Sequence, residues 1–242
     1  MAVAQKLAAV VERIVPHGEH VYTIDLRPER PAPRFRAGQF LHLAIDPYDP
    51  AAFWPESRVF SIASSPDSRD RLRITYAVHG RFTGRMEREL VEGQDVWIKM
   101  PYGDFVIDAA GDVVLFAGGT GVTAFTAFLE GLGSSSQRVL LAYGARTEQL
   151  LIYRDVVERS RSQAPALDVA YFVEHSPSAP TSGDSRTPMP GRVSVDALWP
   201  RVRRPAESSY YVSGPPAMLK GITADLCARG ISEEAIHIDA WE

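Results

Sequence analysis

Asp112-Val113-Val114-Leu115-Phe116-Ala117-Gly118-Gly119-Thr120-Gly121-Val122-Thr123 is the stretch whose reading decides the fold. Val113 to Ala117 is an unbroken apolar run, the pattern of a strand covered on both faces rather than on one. Glycines follow at once, and Val122 to Leu129 then reads as a helix. Downstream the same rhythm repeats. Arg138 to Tyr143 reads as a second buried strand, Glu148 to Ser160 as a helix and Leu167 to Val173 as a third strand. Tyr210 to Ser213 is a fourth strand, Met218 to Arg229 a helix and Ala235 to Ile238 a closing strand. Strand alternating with helix is the signature of a parallel α/β sheet. Ser176 to Gly191, rich in Pro, Ser, Gly and Thr, reads as a mobile surface loop.

Upstream the pattern is different. Val21 to Leu26, Gln39 to Ile45, Leu72 to Val78 and Asp95 to Met100 are short strand-like runs. Turn-rich pieces such as Arg30-Pro31-Ala32-Pro33 and Asp46-Pro47-Tyr48-Asp49-Pro50 separate them. Many short strands at this spacing predict an antiparallel barrel or sandwich. One helix interrupts, from about Thr83 to Leu90, with Gly93 just past its end. The change of rhythm predicts two domains, 1–109 and 110–242.

Composition bounds the function. With 242 residues and 45% apolar content, the chain can bury a sizeable core without covalent staples. Its single cysteine, Cys227, excludes an internal disulfide and any four-cysteine metal or iron–sulfur site. A net charge of −4, with no basic excess in either half, argues against nucleic acid. No apolar run reaches the ~18 residues of a bilayer span. The mildly apolar Met1 to Val11 reads as a first strand rather than a signal peptide, so the expected location is cytoplasmic.

Four segments carry residue types suited to a phosphate-bearing ligand. Arg58-Val59-Phe60-Ser61 offers a guanidinium fork, an aromatic surface and a hydroxyl. Gly80-Arg81-Phe82-Thr83-Gly84 opens the helix, where exposed amides and the Thr83 hydroxyl would seat a phosphate; the alternative is that Thr83 is a plain N-cap. Gly118-Gly119-Thr120-Gly121 joins a buried strand to a helix and suits a pyrophosphate, although it departs from Gly-x-Gly-x-x-Gly and lacks a P-loop lysine. A tight strand-to-helix turn is the other reading. Ser213-Gly214-Pro215-Pro216-Ala217-Met218 repeats that placement after another buried strand.

In this order, the four motifs resemble the ferredoxin–NADP⁺ reductase superfamily over nearly the whole chain. Arg36-Ala37-Gly38-Gln39-Phe40, Pro101-Tyr102-Gly103-Asp104-Phe105 and Tyr143-Gly144-Ala145-Arg146 add to the match. The resemblance implies an antiparallel Greek-key flavin-binding barrel followed by a parallel-sheet nicotinamide-nucleotide domain. It implies an NAD(P)H-dependent flavoprotein reductase that uses FAD rather than FMN and NADH or NADPH as hydride donor. Flavin contacts fall on Arg58, Val59, Phe60, Ser61, Tyr76, Val78, Gly80, Phe82 and Thr83, with the Ser61 hydroxyl near flavin N5. Nicotinamide-nucleotide contacts fall on Gly118, Gly119, Thr120, Gly121, Arg146, Ser213, Gly214, Pro215 and Met218. Such a protein works by positioning, holding nicotinamide C4 about 3 to 3.5 Å from N5 with no side-chain base.

Two features depart from the family pattern. Ser213 stands where many relatives have a cysteine, and Trp241 is the candidate for their stacking C-terminal aromatic, or else an ordinary tail residue. Glu174 opposes a 2′-phosphate, which favours NADH, while Arg186 and Arg192 would favour NADPH. The expected acceptor is a separate protein of ferredoxin or oxygenase type, with no cluster and no metal of the chain's own. A free-flavin reductase and a non-catalytic flavoprotein subunit are the competing readings. Arg27, Arg30, Arg34, Arg36, Arg69, Arg71, Arg73, Arg81, Arg85 and Arg88 would form either a docking face for an acidic partner or a solvated ionic face.

Overall fold

In a computed structural model of the chain, residues 3–108, 111–133, 137–175 and 187–239 are described. They form two compact units, Met1–Val106 and Ile107–Glu242.

The first unit is a nearly closed antiparallel sheet built from β1 (Gln5–Gly18), β2 (Val21–Pro28), β3 (Phe40–Ala44), β4 (Arg58–Ser61), β5 (Leu72–Ala77) and β6 (Asp95–Tyr102). Their order is β4-β3-β6-β1-β2-β5. Beyond the ladders of the two edge strands, the Ala63 amide donates to the Arg73 carbonyl at 2.8 Å and draws the sheet towards closure. The period of two is visible in β1, where Leu7, Ala9 and Val11 point inward and are at most 2% exposed. Leu41, Leu43, Ile74 and Ile98 meet them in one core. A single helix, α1 (Arg81–Glu89), caps this core with Phe82 and Met86, and Met86 is completely buried. Truncating a residue like Met86 to alanine costs about 2–5 kcal/mol, so α1 is firmly seated.

Two segments from opposite ends of the barrel sequence lock together. Gly38, at φ +91°, lies against the Phe105 carbonyl, and a Cβ there would come within 2.0 Å of that oxygen. The Gln39 amide nitrogen donates to the Gly103 carbonyl at 2.9 Å. Arg36–Phe40 and Pro101–Phe105 are therefore one structural feature.

The second unit is a parallel sheet of β7 (Val113–Gly118), β8 (Val139–Ala145), β9 (Leu167–Val173), β10 (Met189–Pro190), β11 (Ser209–Ser213) and β12 (Ile236–Asp239), in the order β10-β9-β8-β7-β11-β12. Every residue of β7 and β8 is buried, as the unbroken apolar runs require. The helices are α2 (Thr123–Glu130), α3 (Arg154–Gln163), α4 (Val195–Leu198) and α5 (Pro216–Ala228). The chain winds outward from β7 to β10 and returns to β11. The sheet thus has its switch point between β7 and β11, where α/β folds open a crevice at the carboxyl ends of the strands.

Three local expectations are corrected. The helix expected from Glu148 begins only at Arg154, because Tyr153 adopts φ +60° and the Tyr143 hydroxyl holds the Ile152 carbonyl at 2.9 Å. The barrel helix starts at Arg81, not Thr83. Within the expected loop from Ser176, Met189–Pro190 is a short strand paired with Phe172–Val173; residues 176–186, Arg186 included, lie outside the described residues. Among the described residues, no helix is long and apolar enough to cross a membrane.

Candidate functional site

The barrel unit brings its expected ligand residues together around the amino end of α1. Arg58 opens β4 and points to solvent, and its guanidinium lies 5.4 Å from the centre of the Phe82 ring. Phe82 is the second residue of α1, so the cation sits over the first helical turn. The amides of that turn have no partner within the helix and carry its positive dipole end. Gly80 precedes the turn, and a Cβ on it would meet nothing within 4 Å. Thr83 is the third helical residue. Its hydroxyl accepts from the His79 and Gly80 amides at 3.0 and 3.2 Å, which is the backward half of a capping box and not the N-cap itself.

Ser61 and Tyr76 lie elsewhere on the barrel, 8% and 4% exposed. Burial pushes the Tyr76 hydroxyl well above the usual tyrosine range, so it stays a neutral donor. Phe60 lies in the barrel core with its ring 6.1 Å from Tyr76, and Val78 packs at the core margin. A guanidinium beside a helix amino end is a donor set suited to the phosphate of a flavin nucleotide.

In the second unit, β7 and β11 are neighbours with Ala117 opposite Ser213, so the loops that follow them lie side by side. That contact explains most of the glycines. A Cβ on Gly121 would come within 2.3 Å of the Ser213 carbonyl, and one on Gly118 within 2.5 Å of Met218 Sδ. A Cβ on Gly214, at φ +158°, would come within 3.1 Å of the Gly118 backbone. Gly119 differs: it has φ +55° and open space where a Cβ would stand. It starts a single 3₁₀ turn that leads into α2. Gly119 and Thr120 are partly exposed.

Ser213, 2% exposed, donates from its hydroxyl to the buried Asp239 carboxylate at 2.9 Å. Arg146 is exposed at the end of β8, and its carbonyl accepts from the His175 amide at 2.8 Å. Glu174 and Arg192 form an ion pair at 2.8 Å, each cancelling the other's expected vote on the 2′-phosphate. Pro215 is exposed, while Met218 lies half-buried over Gly118. Trp241 lies outside the described residues.

Residues 115–224 match the family model for the oxidoreductase NAD-binding domain. Amycolatopsis cytochrome P450 reductase GcoB superposes with a TM-score of 0.81 at 23% identity, covering 99% of this chain and 70% of that one. The FAD/NAD-binding domain of Vibrio cholerae nitric oxide dioxygenase also reaches 0.81, at 18% identity, covering 97% and 98%. The chain as a whole shares the fold of these reductase structures. In sequence it is 26% identical over 245 residues to the reductase component of propane 2-monooxygenase from Rhodococcus jostii, covering 98% of this chain and 64% of that protein. It is 25% identical over 222 residues to the flavohemoprotein of Bacillus subtilis, covering 89% and 54%. The chain thus spans about half to two thirds of the length of these curated relatives.

Two acidic residues join the site that the motifs alone did not select. Glu56 reaches Arg58, Arg81 and Arg85 from the loop before β4, and only folding brings it to a helix 25 residues further on. Asp239 ends β12 beside Ser213, and the available signal was an acid at the carboxyl end of a buried strand. The arginine-rich face resolves largely into ion pairs: Arg71 with Glu12, Arg73 with Asp25, Arg81 with Glu56 and Arg85 with Asp46. Those contacts favour the solvated ionic face over a docking surface.

Proposed function

We propose that the chain is an NAD(P)H-dependent flavoprotein reductase that binds FAD in the barrel unit, takes hydride from a nicotinamide nucleotide held by the second unit and delivers electrons to a separate acceptor protein. The observation that carries this reading is the Arg58 guanidinium set against Phe82 in the open first turn of α1. When bound, the flavin would accept a hydride as a pair of electrons and release them to the acceptor. The residues of the chain bind and orient. Arg58 and the α1 amides would hold the phosphate, and Ser61 and Tyr76 would donate to polar atoms of the ring system. In the second unit, Gly119 and Thr120 would leave room for the nucleotide pyrophosphate, with the first turn leading to α2 facing its charge. No side chain in this set acts as a general base, and none is needed for hydride transfer.

The reductase components and flavohemoprotein among the relatives support an oxygen-handling partner as acceptor. The test is the visible spectrum of the purified protein after reconstitution with FAD, followed by anaerobic addition of NADH and then NADPH. A flavin absorption band that bleaches with either nucleotide is the expected result. A chain that takes up no flavin, or whose flavin neither nucleotide bleaches, would defeat the proposal.

A further inference from the structure

We propose that Glu56 sets how tightly the chain retains its flavin, by occupying with its own carboxylate the cationic seat that the flavin phosphate must enter. This rests on the flavin reading above and deepens it. The Glu56 Oε1 atom lies 2.8 Å from Arg81 Nη2 and 3.6 Å from Arg58 Nη2. Its Oε2 atom lies 2.8 Å from the same Arg81 nitrogen and 3.9 Å from Arg85 Nη1. Arg81 and Phe82 are the first two residues of α1, and the Arg58 guanidinium covers the Phe82 ring. One carboxylate therefore stands among three guanidiniums at the amino end of α1, where a phosphate would be drawn by the same charges.

The three arginines are not equivalent. Arg85 is held by Asp46 at 2.7 Å and Glu89 at 3.0 Å, so its charge is already answered. Among the ion pairs of the described residues, Arg58 and Arg81 have Glu56 as their carboxylate. Glu56 is also placed by its loop and not merely by attraction, since two residues earlier the Trp54 indole donates to the neighbouring Ser57 hydroxyl at 3.0 Å. A phosphate that enters must take Arg58 and Arg81 from Glu56 and then remain beside a like charge. Both effects lower affinity for phosphate-bearing flavins and leave a flavin without phosphate untouched. Glu56 thereby moves the chain from a permanently loaded flavoprotein towards one that exchanges its flavin.

The experiment titrates FAD, FMN and riboflavin into the flavin-stripped full chain and its Glu56→Gln and Arg81→Gln variants, following flavin fluorescence. Glu56→Gln should bind FAD and FMN about tenfold more tightly, the change expected for removing one nearby like charge, with riboflavin unchanged. Raising the salt should weaken FAD binding to Glu56→Gln more than to the wild type, because the variant seat carries more net positive charge. Arg81→Gln breaks the same ion pair from its other end and should weaken FAD binding. If Glu56→Gln binds FAD equally or more weakly, Glu56 merely positions the arginines and the proposal is overturned. Equal tightening of riboflavin would overturn it too, since the effect would not be on phosphate. A wild-type chain that binds no FAD at any concentration would instead remove the flavin reading itself.

Discussion

Replacing Gly121 or Gly119 by alanine separates the two duties of the glycine loop. At Gly121 the new Cβ would stand 2.3 Å from the Ser213 carbonyl oxygen, 2.5 Å from its carbon and 2.7 Å from the Gly214 nitrogen. All three are backbone atoms, so no side chain can swing away. The end of β7 and the end of β11 would have to part by about 1 Å to restore ordinary contact. Yet β11 is fixed on both sides, with Ser213 opposite Ala117 and Asp239. Overpacking of this kind costs about 1–3 kcal/mol, and a rigid backbone neighbour puts Gly121→Ala near about 3 kcal/mol. At roughly 2–4 °C per kcal/mol for a unit of this size, the midpoint should fall by about 10 °C. At Gly119 the methyl meets nothing within 4 Å, and the cost is that of φ +55° for an L residue, about 1–2 kcal/mol. That methyl would project into the space offered to the nucleotide. Scanning calorimetry should find Gly119→Ala the more stable variant, while fluorescence titration should show its NADH affinity reduced tenfold or more. The reasoning fails if Gly121→Ala melts within about 1 °C of the wild type, or if Gly119→Ala binds NADH as well as the wild type does.

Other consequences are simpler to state. Arg58→Gln should weaken FAD and FMN binding by about tenfold to a hundredfold, the worth of hydrogen bonds to a charged group, without altering riboflavin binding; equal loss for all three would assign Arg58 a structural role. Glu174→Gln releases Arg192 from its ion pair at 2.8 Å. The ratio of kcat/KM for NADPH to that for NADH should then rise about fivefold to tenfold, and an unchanged ratio would move the 2′ subsite elsewhere. Acid should loosen α1. Asp46 is held below the usual carboxylate range by Arg85, and Glu87 by hydrogen bonds from His20 and Tyr22. Each folded-state pKa is depressed, so their stabilisation is full above about pH 4 and is lost as pH falls through the lower folded values. Unfolding followed from pH 6 to pH 2 should show that loss, with a shallower slope in Glu87→Gln; identical slopes would deny Glu87 a part.

The second unit was legible because its central strands β7, β8 and β9 are buried on both faces, so composition alone marks them: Leu167–Val173 falls where the apolar run places it. What composition missed was decided by distant partners. Glu148 to Tyr153 has a helical pattern, but it forms only a 3₁₀ turn over Glu148–Leu150, and with the Tyr143 hydroxyl claiming the Ile152 carbonyl the α-helix waits until Arg154. Thr83 signals a helix start correctly, yet its hydroxyl reaches back from the third helical position instead of forward from the cap. One residue type serves both roles, and nothing local separates them. Met189–Pro190 has little to mark it as a strand except the free edge of β9 on which it lies.

The site shows the same division more sharply, because glycine and arginine each signalled anion binding as a class and the fold then splits both classes. Gly118, Gly121 and Gly214 are small because two loops cross there, while Gly119 alone of the four leaves open space. Arg71, Arg73 and Arg85 are held by carboxylates of their own unit, while Arg58 lies against Phe82 in the first turn of α1, donating to the Ser57 carbonyl at 2.9 Å and with the Glu56 carboxylate no nearer than 3.6 Å. A cation already hydrogen-bonded to a carboxylate has little left to offer an incoming phosphate, and a glycine already filled by a neighbouring backbone has no room to offer. Ligand capacity therefore follows from what each residue is already committed to, which is a property of pairs and not of positions. By that criterion Arg58, which Glu56 reaches only at 3.6 Å, keeps the most to offer an anion, Arg81 must first be released from Glu56, and the carboxylate they share becomes the residue on which flavin retention turns.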